Sequence, residues 1–189
     1  MSVRIVATTC KGWGAAYFES IYRIPTLISD LLLKTLRYLI RASSILNKNV
    51  KLYGAMNALD VKDESSCYNS DGQSDGNTDT SFVVMFHRHV LLSEIRIQFQ
   101  GGFVPEECHL FCAELVQDAE HSEITWKVIE DAFIEPEDNN ELQSFDLTEM
   151  ENPEERKCDA IKLQLKSSSD FYGRVTIYKL EVWGEEMEQ

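Results

Sequence analysis

The sequence predicts an all-β fold, a jelly-roll β-sandwich of about eight antiparallel strands with an N-terminal amphipathic helical extension. Three observations predict it. Past residue 41, apolar residues recur with period two: Ile95, Ile97 and Phe99 alternate with Glu94, Arg96, Gln98 and Gln100, which puts the apolar set on one face of a strand. Polar, turn-forming stretches separate these runs, as in NSDGQSDGNTDTS at 69–81. Helical spacing is confined to the first 41 residues. At 189 residues the chain suits one domain with a real core plus an appendage. The expected division is an extension over 1–41 and a β-domain over 42–189.

Within the extension, residues 26–41 read TLISDLLLKTLRYLIR. Asp30, Lys34, Arg37 and Arg41 share one face and Ile28, Leu32, Leu36 and Leu39 the other, the pattern of an amphipathic helix. The stretch is too short and too charged to span a bilayer. It suits a helix docked on the domain or a partner, a basic targeting segment, or a stretch without a role in the mature protein. Ile28-x-x-Leu31-Leu32 and Leu36-x-x-Leu39-Ile40 have the form of the short boxes used in nuclear-receptor regulation. Leucine-rich helices also produce such boxes by chance.

From Ala42 the β-pattern takes over. Residues 42–47 suggest a first strand or hook, and 58–70 a polar loop. Residues 69–81 form a solvated surface loop. Its Asp75-x-Asn77-x-Asp79 spacing invites calcium, but Thr80 replaces the required glycine and Phe86 the bidentate glutamate. Residues 82–89 predict a buried strand whose end brings His87 and His89 to one face, more in keeping with a solvated strand end than a metal site. The run at 93–99 ends at Gly101 and Gly102, residues suited to a tight turn. Further strands are expected over 108–116, 126–134 and 142–147, with turns at 119–123 and 135–140. Cys108 and Cys112 read as ordinary small residues in a strand, because no second ligand pair accompanies them.

Residues 148–159 read as an acidic linker containing Pro153, with no core face. Ile161, Leu163 and Leu165 alternate with lysines and Gln164 in a half-buried strand. In the last run Val175 and Ile177 share one phase and Leu180 and Val182 the other. A bulge near Tyr178-Lys179 reconciles them, as does a long strand bending across two sheets.

The formal net charge is −14. Residues 1–41 hold six Lys/Arg against Glu19 and Asp30, or +4, whereas the remainder holds twelve against thirty, or −18. So acidic a domain repels phosphate backbones, which argues against direct nucleic-acid binding and favours basic or apolar partners. Five cysteines at irregular spacing and no Asn-x-Ser/Thr site point to a reducing compartment. No Ser/His/Asp order, nucleophile elbow or phosphate loop occurs, so the class expected is a binding module, not an enzyme. The candidate binding residues are the aromatics Phe103, Phe171 and Tyr172 with the polar groups Asn69, Gln98, Asp170 and Arg174. Asp170 and Arg174 also suit the bracing of a turn. The residues set no oligomeric state.

Five segments, ASSILNKNVKLYG (42–54), LDVKDESSCYNSD (59–71), IQFQGGF (97–103), PEDNNELQSF (136–145) and DFYGRVTIYKLEVWG (170–184), resemble the nuclear receptor subfamily 2 group C member 2-associated proteins. That family is of the discoidin-like, galactose-binding-like class. The resemblance spans nearly all of 42–189 in order. It implies an eight-stranded jelly roll, a nuclear location, binding to an orphan nuclear receptor, and repression of the receptor by interference with its DNA attachment. A mitochondrial location is the alternative if residues 1–41 act as a targeting segment. Another use of the fold is a carbohydrate- or peptide-binding module that works through loops at one end of the sandwich. Tyr68 stands where discoidin-like domains usually carry Trp, another aromatic suited to the same packing. Lys179 falls where calcium-binding relatives place a carboxylate. No metal or cofactor is expected.

Overall fold

The computed structural model describes residues 3–4, 40–59, 65–72, 79–114, 124–129, 132 and 134–187. Its strands are β1 (Val3–Arg4), β2 (Ile40–Ala42), β3 (Tyr68–Asn69), β4 (Asp79–Phe99), β5 (Glu107–Glu114), β6 (Thr125–Val128), β7 (Leu142–Asp146), β8 (Lys157–Lys166) and β9 (Thr176–Glu186). Every pairing is antiparallel. The short helix α1 (Val50–Tyr53) begins where the Asn49 side chain accepts from the Leu52 N–H at 3.2 Å.

The 21-residue β4 organises the sandwich. Its first part pairs with β2 on one side and β8 on the other, and β5 and β6 follow β8. Its second part pairs with β7 and β9, and β9 carries β1 and β3. The runs expected separately at 82–89 and 93–99 are therefore one strand. It serves both leaves because its pairing with β8 jumps from Met85–Ala160 to Val90–Cys158.

Side-chain phase follows the bulges. Phe82, Val84, Val90 and Leu92 are buried at even positions, and Ile95, Ile97 and Phe99 at odd ones. The flip falls at Ser93, since Leu92 opposes Gly184 while Glu94 already opposes Trp183. The bulge expected near Tyr178 is present in β9: Gln98 opposes Lys179 and Phe99 opposes Ile177, leaving Tyr178 as the extra residue. Val175, Ile177, Leu180 and Val182 all reach the core in consequence. Tyr68 fills its aromatic position fully buried, edge-on to Phe82 with centroids 5.2 Å apart.

Several segments differ from expectation. Residues 79–81, expected in the surface loop, open β4, and the strand expected over 126–134 is β6, Thr125–Val128. Ile40 and Arg41, at the end of the predicted helix, are instead strand residues pairing with Val84 and Val83. The rest of that helix, the first leucine box and all of the second except Ile40, the 119–123 turn and residues 73–78 of the acidic loop lie outside the described residues. The stretch 148–159 is not free of the core: Met150, Arg156 and Cys158 are buried, and a short 3-10 turn over Pro153–Arg156 leads into β8. Arg156 reaches back 64 residues to donate to the Leu92 carbonyl at 2.7 Å. Cys108 and Cys112 are buried strand residues. His89 bonds Asp159 through Nδ1 at 2.9 Å, while the His87 side chain is outside the description. Among the described residues no helix is long and apolar enough to cross a membrane, and no group of three or more His, Cys, Asp or Glu is placed to hold a metal ion.

The loop end as candidate functional site

The seven candidate residues gather at one end of the sandwich, where β4 ends and β9 begins. Two tight turns build this end. In the first, the Phe103 N–H donates to the Gln100 carbonyl at 2.9 Å, with Gly101 and Gly102 at the corners. Gly102 has φ +80°, a region in which a Cβ strains the backbone. In the second, the Gly173 N–H donates to the Asp170 carbonyl at 2.8 Å, which sets Phe171 and Tyr172 at the corners. Gly173 relieves the turn at φ 71°.

Corner positions explain the exposure of the two rings. Phe171 is 86% and Tyr172 57% exposed, and they meet edge to face with centroids 5.2 Å apart. A turn tip gives such side chains little to pack against.

Asp170 holds the second turn together. Its carboxylate accepts from Arg174 Nε at 2.9 Å and Nη2 at 3.2 Å, and from the backbone N–H groups of Tyr172 at 3.2 Å and Arg174 at 3.1 Å. The Arg174 guanidinium beside it, with these N–H donors, holds the Asp170 carboxyl below the ordinary aspartate value. Arg174 in turn lies over Phe103 at 5.0 Å and Tyr172 at 5.6 Å. Thus Phe103, Asp170, Phe171, Tyr172 and Arg174 form one connected cluster.

Gln98 and Asn69 sit at its edges. Gln98 donates through Nε2 to the Asn140 carbonyl at 2.9 Å, tying β4 to the 137–141 loop. Asn69 pairs with Thr176 in the β3–β9 register, and its Oδ1, like Thr176 Oγ1, is buried without a hydrogen-bond partner. Neighbouring Ser70 accepts the Val175 N–H through Oγ at 2.8 Å, which locks 69–72 beneath the aromatic turn. A Cβ on Gly72 would come within 2.9 Å of the Tyr172 carbonyl oxygen, so the two loops touch.

Sequence reasoning missed the side chains that cap the glycine turn. The Gly101 N–H donates to Asn140 Oδ1 at 2.8 Å and the Gly102 N–H to Asp138 Oδ1 at 2.6 Å. Asn139, Asp138 and Asn140 signal a turn, but nothing local shows which distant backbone their side chains cap. The carboxylates Asp71, Glu106, Glu135, Glu137, Asp138 and Glu141 are exposed on the 69–72, 103–107 and 135–141 stretches that adjoin these turns, and Leu142 beside Gln98 is 41% exposed. A cleft of about 380 Å³, lined by Cys112, Lys127, Ile129, Glu154 and Lys157 among others, involves none of the seven candidates.

No protein-family model matches the chain. Among solved structures it is similar to a family 32 carbohydrate-binding module from C. perfringens crystallised with galactose, with TM-score 0.54 at 16% identity, covering 76% of this chain and 91% of that one. An F5/8 type C domain from Bacteroides fragilis has TM-score 0.54 at 11% identity, with 78% and 91% covered. These likenesses establish the galactose-binding-like, discoidin-like fold. Among curated proteins, nuclear receptor 2C2-associated protein of Danio rerio is 35% identical over 146 residues, covering 77% of this chain and 89% of that protein. The Homo sapiens protein of the same name is 34% identical over 148 residues, with 78% and 91% covered. At that identity, over nearly the full length of those relatives and on this fold, the chain belongs to the nuclear receptor 2C2-associated protein family.

Proposed function

We propose that this protein acts without catalysis, in the nucleus, by associating with a nuclear receptor and weakening the receptor's hold on DNA. The observation that carries the mechanism is the charge of residues 42–189, twelve Lys/Arg against thirty Asp/Glu. Carboxylates in such excess compete with DNA phosphate for the same basic receptor side chains, and complementary charge steers the encounter. The relatives' name supports the choice of partner. The β-domain over 42–189 supplies the working surface, and 1–41 is an extension that adds Val3–Arg4 and Ile40–Arg41 to its sheet. The same charge disfavours direct contact with nucleic acid.

The test is the salt dependence of binding to the DNA-binding region of nuclear receptor 2C2. Affinity should fall steeply as ionic strength rises, because exposed charges are screened over about 10 Å at 0.1 M salt. A complex indifferent to salt would sink this mechanism.

The exposed pair Phe171 and Tyr172 favours a second reading, a module that binds a carbohydrate or short peptide at the loop end. In it the two rings and Phe103 offer flat apolar faces, while Asn69, Gln98, Asp170 and Arg174 supply polar contacts. A glycan array without hits would remove the carbohydrate version.

A further inference from the structure

We infer that the loop end is a docking surface for a basic peptide segment with an apolar anchor, the anchor seated on Phe171 and Tyr172. The two rings stand 86% and 57% exposed on a turn already held by four hydrogen bonds to Asp170. The turn's backbone has little conformational entropy left to lose when a partner packs on the rings, and an aromatic side chain has only two χ angles to fix. Exposed carboxylates occupy the same end: Asp71 precedes Gly72, which lies against Tyr172, and Glu137 and Glu141 flank the loop that caps the Gly101–Gly102 turn, with Glu106 three residues past Phe103. The nearest guanidinium, Arg174, is already engaged by Asp170. An exposed apolar anchor on a carboxylate-rich end selects a cationic partner: the charge steers it and the rings retain it.

The opposite end of the sandwich separates the two ingredients. Glu149, Glu151, Glu154 and Glu155 are exposed there, as are Glu185 and Glu186, but no described aromatic stands out among them. Charge alone would make the two ends equivalent, whereas charge with an exposed anchor singles out the loop end. The inference takes the receptor reading for its natural partner and adds the site. The site itself can be tested without the receptor.

The experiment follows amide resonances of the isotope-labelled full chain as a synthetic Lys/Arg-rich peptide carrying leucine is added, with a Glu/Asp-rich peptide as control. Shifts should gather at 101–103, 137–142 and 170–174, with the basic peptide only. Phe171→Ser with Tyr172→Ser should weaken binding about tenfold or more. These side chains face solvent, so an unchanged melting temperature confirms the fold. Glu137→Gln with Glu141→Gln should flatten the salt dependence, and Glu149→Gln with Glu151→Gln should change little. Absent shifts, shifts at the opposite end, or equal binding by the aromatic double variant would each overturn the inference. So would a sugar moving these resonances while the basic peptide does not. The same variants are then offered the receptor's DNA-binding region: if the parent binds the peptide at the loop end but not that region, the receptor reading fails and the site stands.

Discussion

The hydroxyl of Tyr68 donates to the carbonyl of Ser44 at 2.9 Å across 24 residues, fastening the segment after β2 to β3. The ring is fully buried against Phe82, so packing should outweigh the hydrogen bond. Tyr68→Phe should cost about 1 kcal/mol and Tyr68→Ala about 3–5 kcal/mol in urea denaturation. If both lowered the midpoint equally, the hydroxyl rather than the ring would be the anchor.

Adjacent positions in β4 should behave in opposite ways. Ile97 is fully buried, and Ile97→Asp places a carboxylate in the core, which should unfold the domain. Gln98 faces outward and loses one hydrogen bond to the Asn140 carbonyl, so Gln98→Ala should stay folded at a cost of about 1 kcal/mol. An Ile97→Asp protein as thermally stable as the parent would refute the core assignment.

Asp170 predicts a pH signature. Its folded carboxyl is held below the ordinary value of 3.8, chiefly by Arg174. The folded state thus favours the ionised form, and the stabilisation is present above 3.8 and lost as pH falls through the lower folded value. Asp170→Asn removes the charge-assisted hydrogen bonds to Arg174 and should cost about 2 kcal/mol at pH 7, a cost that should shrink progressively below pH 3.8. Thermal melts of both proteins across acid pH measure the difference, and a gap independent of pH would contradict the charge argument.

Tyr178 should matter for its backbone more than its ring. As the extra residue of the β9 bulge it lets Ile177 and Leu180 both face inward. Deleting it puts one half of β9 out of phase, which should abolish cooperative unfolding. Tyr178→Ala keeps the count and should cost about 1 kcal/mol. A deletion variant that melts like the parent would show that the register does not need the bulge.

Thiol accessibility gives an independent check of the core. Burial pushes the Cys108 thiol up to about 12, and the buried Cys112 thiol with burial raises Cys158 as well. Alkylation requires the thiolate, so at pH 8 Cys108 and Cys158 are both hidden and un-ionised, and Cys112 is hidden. Iodoacetamide should label half-buried Cys67 in the native protein and reach Cys108, Cys112 and Cys158 only after unfolding. Native labelling of Cys158 at the rate of Cys67 would place it outside the core. Cys10 lies outside the described residues.

Much of the fold was legible because period-two alternation is local. Ile95-Ile97-Phe99 and Ile161-Leu163-Leu165 declare their buried faces, and the phase change from Ile177 to Leu180 declares a bulge or a bend, which the register resolves as a bulge. The matching change from Leu92 to Ile95 carries the same information. It was hidden because Val90 to Leu92 is apolar without interruption, so two runs read as separate strands. The buried role of Arg156 was not legible at all, since a charged residue beside Pro153 in an acidic stretch looks solvated until its distant partner, the Leu92 carbonyl, is known. The candidate site divided the same way. Asp170 and Arg174 are four residues apart in one turn, whereas Asp138 and Asn140 serve a backbone 36 and 39 residues away.

By itself, then, the sequence determined which residues alternate, where the chain turns and where its negative charge lies, because strand phase, glycine geometry and composition are properties of short stretches. Only the tertiary structure decided that β4 belongs to both leaves, that Arg156 reaches the core and that seven scattered residues share one end. Those are matters of which strand lies beside which, and pairing between distant strands is settled by the packing of the whole core.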